Sequence, residues 1–281
     1  MQKKIGKAFS PAHISGIFII DIKNDPSLSG SMGCGICLED GAVTKVHPSK
    51  ETIIRINGAV TKAPTTLSAV ELLTSEPVFV DTTLTIPIGS GFGASGTGAL
   101  STALSLNETL SMDLTLKELA GAAHCAEVMN MTGLGDVTGM TFGGMVIRKK
   151  AGAPFLGIID KIPSRNTEIS WISFNDISTK SVLSDDIKKK SINKAGKSRL
   201  KDLLNKPTIE NFMIQSAAFA KDIELMSYKV KDAIEAVEAA GGLASQAMLG
   251  DTVFAINDSD ALQEFGEVHK SRISNAGAHL L

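Results

Sequence analysis

The sequence contains little cysteine, no excess of either charge and no long hydrophobic run, and each lack excludes a class of protein. Three cysteines in 281 residues are too few for a disulfide framework and fit a reducing compartment. Lysine plus arginine number 28 against 30 acidic residues, so the basic surface of a nucleic-acid-binding protein is absent. The first residues lack the apolar core of a secretory signal, and no apolar run reaches membrane-spanning length. We therefore expect a cytoplasmic protein that binds neither nucleic acid nor membrane.

The cysteines also give little support to a zinc or redox site. Cys34 and Cys37 have the spacing Cys-x-x-Cys, but zinc would need a second pair of ligands at similar spacing. The alternating pattern around them predicts a strand, in which residues three apart point to opposite faces. We favour small buried apolar side chains as the interpretation of these residues and of Cys125.

The hydrophobic pattern changes along the chain and predicts two domains. A length of 281 residues allows one large domain or two modest ones. The first 60 residues alternate short β-like runs with glycine, proline, asparagine and aspartate, which predicts antiparallel hairpins. The sequence Ala-Gly-Ala-Pro marks a boundary near residue 152. We therefore expect one domain at 1–152 and another at 153–281.

The second domain is predicted to mix strands and helices. GIIDKIP and ISWISF are typical of strands, and the charged run Ser184–Lys206 is most simply the solvated face of a helix. Two further helices follow, and Gly241 is expected to cap the second of them. Two short strands are predicted to flank a two-residue turn at Gly250 and Asp251.

The glycine-rich stretch IPIGSGFGASGTGAL lies at 86–100, between a predicted strand and a predicted helix. In that arrangement backbone N–H groups and the positive end of the helix converge on an anion. Phosphate binding is therefore the leading interpretation. The alternative is a tight helix–sheet contact, which explains Gly96 and Gly98 better than Ser90 and Gly91.

Two common phosphate motifs do not fit this stretch. A P-loop needs a lysine, and the stretch contains none. A dinucleotide-binding fingerprint needs a second parallel strand soon after the helix, ending in an acidic residue about 20 positions on. Here a second helix is predicted to follow the first, with Asp113 in the turn between them. The sequence therefore disfavours a dinucleotide-dependent oxidoreductase.

Four segments resemble the signatures of the GHMP kinases. PIGSGFGAS is similar to the second signature, with Phe92 and Ala94 where leucine and serine are typical. SPAHISG, TGLGDVTGMTFGG and ASQAMLGDTVFAI are similar to the first signature, the segment of the catalytic aspartate and the third signature. The resemblance covers nearly the whole chain. With GSMGCGI and GGMVIR, it is greatest to the archaeal-type pantoate kinase family.

The resemblance implies an α+β fold of two domains, an S5-like N-terminal domain and a ferredoxin-like C-terminal domain, with the active site between them. It implies a homodimeric transferase that uses ATP and Mg²⁺ to phosphorylate the terminal hydroxyl of pantoate, giving 4-phosphopantoate in coenzyme A biosynthesis. One alternative is a kinase of another small hydroxylated metabolite, of the mevalonate, homoserine or shikimate class. Another is a non-catalytic ATP-binding protein on the same scaffold.

The resemblance also implies which residues hold the ATP phosphates and the metal ion. The cofactor-binding residues would be Pro87, Gly89, Ser90, Gly91, Gly93, Ala94 and Ser95. The Ser95 hydroxyl and the Glu127 carboxylate would ligate Mg²⁺, a hard ion that takes oxygen ligands. By residue type alone, Glu127 is typical of a solvated helix glutamate. Its interval to Asp136 is nine residues, shorter than in the mevalonate-type members.

Asp136, in GLGDVTG, would be the catalytic carboxylate, which accepts the proton of the acceptor hydroxyl or orients that hydroxyl. As an alternative, an aspartate in a glycine-rich turn is often only a turn former. We expect this turn to lead directly into a β hairpin or a single strand.

Pantoate carries a carboxylate, which a guanidinium group binds through both oxygens. Arg148 ends a predicted strand after the catalytic turn and is the candidate, although an arginine at a strand end is usually solvated. Its neighbours Lys149 and Lys150 are expected to face water. The weaker substrate-binding candidates are His13, Ser29, Ser31 and Thr179. Their structural alternatives are a buried histidine bonded to backbone, two turn serines and a helix cap.

Overall fold

Two long strands dominate the first part of the chain. In the computed structural model, which describes residues 5–165, 167–175, 185–257 and 259–281, β1 (Gly6–Asp21) and β2 (Gly30–Pro48) pair antiparallel. The predicted antiparallel pairing is confirmed, but the short runs predicted here are joined into two long strands. The register shifts between Pro11 and Ala12 and between Ser15 and Ile17 are absorbed as irregularities within β1, so residues typical of turns stay inside a continuous strand.

The larger sheet has eight strands in the described residues, with β12-β1-β2-β5-β3-β4 as its main order. β6 adds to β2, and β7 adds to β6. The remaining strands of this sheet are β3 (Ile53–Ile56), β4 (Ala59–Val60), β5 (Val78–Leu84), β6 (Met145–Lys150), β7 (Ile158–Ile162) and β12 (His279–Leu280). Because β7 and β12 follow residue 152 in sequence, the predicted boundary does not divide the sheets.

Four helices pack against this sheet and against one another, namely α1 (Pro64–Leu73), α2 (Ala94–Leu110), α3 (Leu116–Asn130) and α4 (Asp136–Phe142). The two helices predicted to follow the glycine-rich stretch, here α2 and α3, are confirmed. The expected turn around Asp136 is instead the start of α4, because the chain coils for two helical turns before it enters β6. The C-terminal segment returns to this region, where the N–H of Ala278 donates to the carbonyl of Met140.

The smaller sheet has four antiparallel strands in the order β11-β8-β10-β9. Its strands are β8 (Glu168–Asn175), β9 (Leu243–Gln246), β10 (Asp251–Ile256) and β11 (His269–Arg272). Three helices and one 3₁₀ helix accompany it, namely α5 (Asp186–Asn205), α6 (Ile209–Ile223), α7 (Tyr228–Ala239) and Asp260–Phe265. The charged run is therefore a helix, as predicted, and it buries Ile192 and Leu200 beneath its lysines.

The connection between α7 and β10 differs in part from its prediction. Gly241 follows the helix with a φ of +92°, in the left-handed region that favours glycine at this place. The predicted two-residue turn is wrong, because Asp251 is the first residue of β10 and the loop is 247–250. The reason is that this loop packs against the glycine-rich stretch, where a Cβ on Gly250 would lie 2.2 Å from the carbonyl of Ser90.

One apolar core joins the two sheets. Phe92, in the glycine-rich stretch, packs edge-on against Trp171 of β8 with ring centroids 4.7 Å apart. Cys34 and Cys37 are fully buried in β2, and burial raises the pKa of each thiol to about 12, which fits the predicted apolar packing role. Within the described ranges, no helix is long and apolar enough to cross a membrane.

Candidate active site

The glycine-rich stretch forms the loop between β5 and α2, as predicted. Gly89, Gly91 and Gly93 have φ angles of +80°, +85° and +65°, a conformation that side chains other than glycine rarely adopt. Gly93 is also the residue that precedes α2. The loop therefore brings its backbone to the positive end of a 17-residue helix, which is the arrangement that favours an anion.

This loop borders a cleft of about 300 Å³. The cleft is lined by Ser15, Phe18, Ser31, Ile88, Gly89, Gly91, Phe92, Gly93, Ala94, Ser95, Asn130, Met131, Thr132, Gly133, Leu134, Gly135, Asp136, Met248 and Leu249. Pro87 and Ser90, two of the predicted phosphate-loop residues, face a separate surface depression over β8. The cleft is thus lined by residues of the glycine-rich stretch, of the loop at 247–250 and of the segment that leads into α4.

Ser95 and Glu127 meet at one wall of the cleft. The Ser95 hydroxyl donates to Oε1 of Glu127 over 2.9 Å, and Glu127 is fully buried. Two glycines make room for this carboxylate, since a Cβ on Gly96 or Gly133 would lie 2.9 Å or less from it. The structure therefore excludes the solvated helix glutamate considered from the sequence.

The electrostatics around Glu127 fit a hard cation. Burial and the nearby Asp136 carboxylate raise the pKa of Glu127 to about 8. The Ser95 hydroxyl and the backbone N–H groups of Val137 and Gly96 oppose this rise in the pKa. Among the described residues, no hydrogen-bond partner is found for Oε2 of Glu127. A buried carboxylate beside a hydroxyl suits Mg²⁺, which is commonly held by one or two carboxylates together with substrate phosphates.

Asp136 stands at the other side of the loop as the first residue of α4. Its side chain is 17% exposed and lines the cleft. Its Oδ1 lies 2.7 Å from Nδ1 of His13. Oδ1 of Asp136 is therefore bonded to His13 on the side away from the cleft, while the carboxylate also lines the cleft.

His13 is fully buried and is not among the residues that line the cleft, so the structure places this substrate-binding candidate behind Asp136. A Cβ on Gly35 or Gly139 would lie within 2.5 Å of its ring, so the ring fits only because both residues are glycines. Burial lowers its pKa, against the opposing effect of Asp136. The imidazole is therefore neutral near pH 7.

The tautomer of His13 follows from its neighbours. Nη1 of Arg148 lies 3.4 Å from Nε2 of His13, and a guanidinium group can only donate. Nε2 must therefore accept, which places the ring hydrogen on Nδ1, where it donates to Asp136. Arg148, His13 and Asp136 form one buried hydrogen-bonded chain.

Arg148 is 2% exposed on β6, so the solvated strand-end arginine considered from the sequence is excluded. Its Nε donates to the carbonyl of Ser31 over 3.3 Å, and its Nη2 donates to the hydroxyl of Ser15 over 3.2 Å. The neighbours Lys149 and Lys150 are exposed, as predicted. Ser15 and Ser31 line the cleft, whereas Arg148 lies behind them.

Of the other two substrate-binding candidates, the structure describes only Ser29, which is not among the residues that line the cleft. The Ser29 hydroxyl donates to the carbonyls of Lys23 and Asp25 and accepts from the N–H of Lys23, so it stabilises its own loop, the alternative role considered for it. Thr179 lies outside the described residues.

Sequence reasoning missed Ser15 and the apolar residues of the cleft. Ser15 stands two positions after His13 in β1, and strand alternation places both side chains on one face, so this signal was available. Phe18, Leu134 and Met248 come from three distant segments. No local pattern marks those three residues as a group.

Comparison with known proteins agrees with the resemblance to the GHMP kinases. A family model described as the GHMP kinases N terminal domain matches residues 60–144. The chain is 32% identical to the pantoate kinase of Methanospirillum hungatei, covering 98% of this chain and 96% of that one. It is 33% identical to the pantoate kinase of Methanocaldococcus jannaschii, covering 94% and 97%. A solved phosphotransferase related to the CoA biosynthesis pathway superposes with a TM-score of 0.88 at 26% identity, covering 99% and 98%.

Proposed function

Because the chain belongs to the GHMP kinase family, and within it to the pantoate kinases, we propose that it transfers the γ-phosphoryl group of ATP to the terminal hydroxyl of pantoate. The product would be 4-phosphopantoate, an intermediate of coenzyme A biosynthesis. The observation that carries this proposal is the cleft, which is lined by the glycine loop, Ser95 and Asp136, with Glu127 bonded to the Ser95 hydroxyl behind that wall.

ATP would bind with its phosphates at the glycine loop. The N–H groups of Gly91 to Ser95 and the N-terminus of α2 supply donors to the anion. Ser95 and Glu127 would hold Mg²⁺, which neutralises charge on the β- and γ-phosphates when bound. The ion would also compensate the charge of the buried Glu127 carboxylate.

Asp136 would accept the proton of the acceptor hydroxyl. His13 fixes one carboxylate oxygen through the hydrogen on Nδ1, so the other oxygen is available to the substrate. Such positioning matters because a general base must lie within hydrogen-bond reach of the proton it removes.

Pantoate suits the part of the cleft beyond Asp136. The molecule has two methyl groups on one carbon, between a hydroxymethyl group and a hydroxy acid. The side chains of Phe18, Leu134 and Met248 provide apolar contact for the methyl groups. Ser15 and Ser31 line the same part of the cleft, and Arg148 donates to both of them from behind. This positive charge suits the carboxylate of pantoate.

Identification of the product tests this proposal most directly. Purified protein should consume ATP with pantoate and yield a product heavier by one phosphoryl group, whereas mevalonate, homoserine and shikimate should give none. A preference for one of those three would refute the substrate while sparing the kinase class. ATP binding without any phosphorylated product would favour the non-catalytic alternative. The homodimer and the cytoplasmic location stay predictions, which the native mass and cell fractionation would check.

We expect His13 to act on turnover through Asp136. His13→Leu removes the donor to Oδ1 and should lower kcat about 10- to 100-fold, as loss of an orienting partner does, with the KM for ATP unchanged. His13→Asn places an amide N–H near the position of Nδ1 and should recover part of the loss. Equal loss in the two variants would contradict the orienting role. Steady-state kinetics on both variants gives the answer.

A further inference from the structure

The Ser15 hydroxyl lies between the Arg148 guanidinium group and the cleft. Arg148 is 2% exposed and does not line the cleft, whereas Ser15 does. The two are joined by the hydrogen bond from Nη2 to the Ser15 hydroxyl oxygen. A ligand in the cleft therefore meets the serine hydroxyl before it meets the guanidinium group.

The hydrogen of the Ser15 hydroxyl is not used in the bond to Arg148. A serine hydroxyl has one hydrogen to donate and two lone pairs to accept with, and a guanidinium group has donors only. The Ser15 oxygen therefore accepts from Arg148 and keeps its own hydrogen. Among the described residues, it makes no further hydrogen bond. The hydrogen is thus available to an acceptor in the cleft, polarised by the cation behind it.

The backbone fixes Ser15 at this place. Its carbonyl accepts from the N–H of Met248 over 3.0 Å, and the residue pairs with Gly35 of β2. β1 shifts register directly after Ser15, between Ser15 and Ile17. The backbone of Ser15 is therefore held by β2 and by the loop at 247–250, which reduces the entropy cost of ordering this residue on binding.

We propose that Ser15 is a substrate-binding residue whose hydroxyl donates to a carboxylate oxygen of the hydroxy acid. This inference rests on the proposed function and adds a specificity-determining residue to it. The position suits an anion, because the Arg148 guanidinium donates to the Ser15 hydroxyl oxygen and Asp136 would repel a carboxylate placed beside it. The carboxylate end of the substrate then lies at Ser15, and the hydroxyl to be phosphorylated lies at Asp136.

A comparison of two substrates and two variants tests Ser15. In Ser15→Ala we expect the KM for pantoate to rise about 10- to 100-fold, as loss of a hydrogen bond to a charged group does. The kcat and the KM for ATP should change little. Pantoamide, whose neutral carbonyl oxygen is a weaker acceptor than a carboxylate, should show a smaller rise in KM. Ser15→Cys, with a weaker donor of similar size, should lie between the wild type and Ser15→Ala.

The matched control is Ser10→Ala. Ser10 is another buried serine of β1, but it does not line the cleft, so its loss should leave both KM values unchanged. An equal rise for pantoate and pantoamide in Ser15→Ala, or no rise for either, would overturn the proposal. If Ser15→Ala does not fold, Ser15→Cys decides by the same comparison. If the wild type phosphorylates another hydroxy acid, the assignment of pantoate as substrate is refuted. The role of Ser15 is then tested with that acid and its amide.

Discussion

Asp136→Asn is expected to lower kcat about 10²- to 10⁴-fold, the range of a lost general base. The hydrogen on Nδ1 of His13 points at Oδ1, so the new side chain must turn its carbonyl oxygen toward the histidine. Its NH₂ group then faces the acceptor hydroxyl, where it can donate but cannot take a proton. The KM for ATP should change little, because the nucleotide is held by the glycine loop.

Steady-state kinetics with both substrates checks this expectation. Asp160→Asn is the matched control, since Asp160 lies on β7 and pairs with Lys149 at the surface, away from the cleft. That variant should keep the wild-type kcat. An equal loss in kcat and in ATP affinity for Asp136→Asn would show that Asp136 binds nucleotide and does not act on the hydroxyl.

The sequence predicts the elements that are local in the chain. The strand, glycine loop and helix that hold Ser95 are contiguous, and each has its own pattern of apolar spacing. Gly93 and its neighbours favour a loop conformation that few other residues adopt. The resemblance of such local segments to the family signatures was therefore enough to propose Ser95, Glu127, Asp136 and Arg148, and the structure brings all four to one region.

The sequence does not predict how these residues are buried. His13 and Asp136 are 123 residues apart, and their contact depends on the packing of α4 against β1 across Gly139. Strand length was missed for a related reason. Glycines usually weaken strands, but Gly41 lies where a Cβ would meet the carbonyl of Ser10 at 2.1 Å. Its cross-strand contact, which no local pattern shows, keeps it in the sheet.

Glu127→Gln should abolish most activity and at the same time stabilise the protein without metal at alkaline pH. Glutamine keeps an oxygen for the Ser95 hydroxyl but offers no charge to Mg²⁺. We expect kcat to fall at least about 10²-fold, because neutralising the phosphates supplies several kcal/mol to phosphoryl transfer. Excess Mg²⁺ should not restore the rate.

The effect on stability has the opposite sign. The pKa of Glu127 is raised to about 8 in the folded protein, against about 4.3 in an unfolded chain. Between these values the folded state binds the proton more tightly, so the wild-type free energy of unfolding falls as pH rises from about 4.3 to about 8. Glutamine has no such proton, and its variant should lack this fall.

Urea unfolding between pH 5 and pH 9, in chelator, measures the difference. At pH 9 the variant should exceed the wild type by a few kcal/mol, the order that a shift of this size implies. Glu118→Gln is the control, because Glu118 lies on the same helix in the capping box with Thr115, where glutamine serves equally well. It should follow the wild-type pH dependence. A Glu127→Gln variant that also follows it would show that the buried carboxylate is already compensated without a cation.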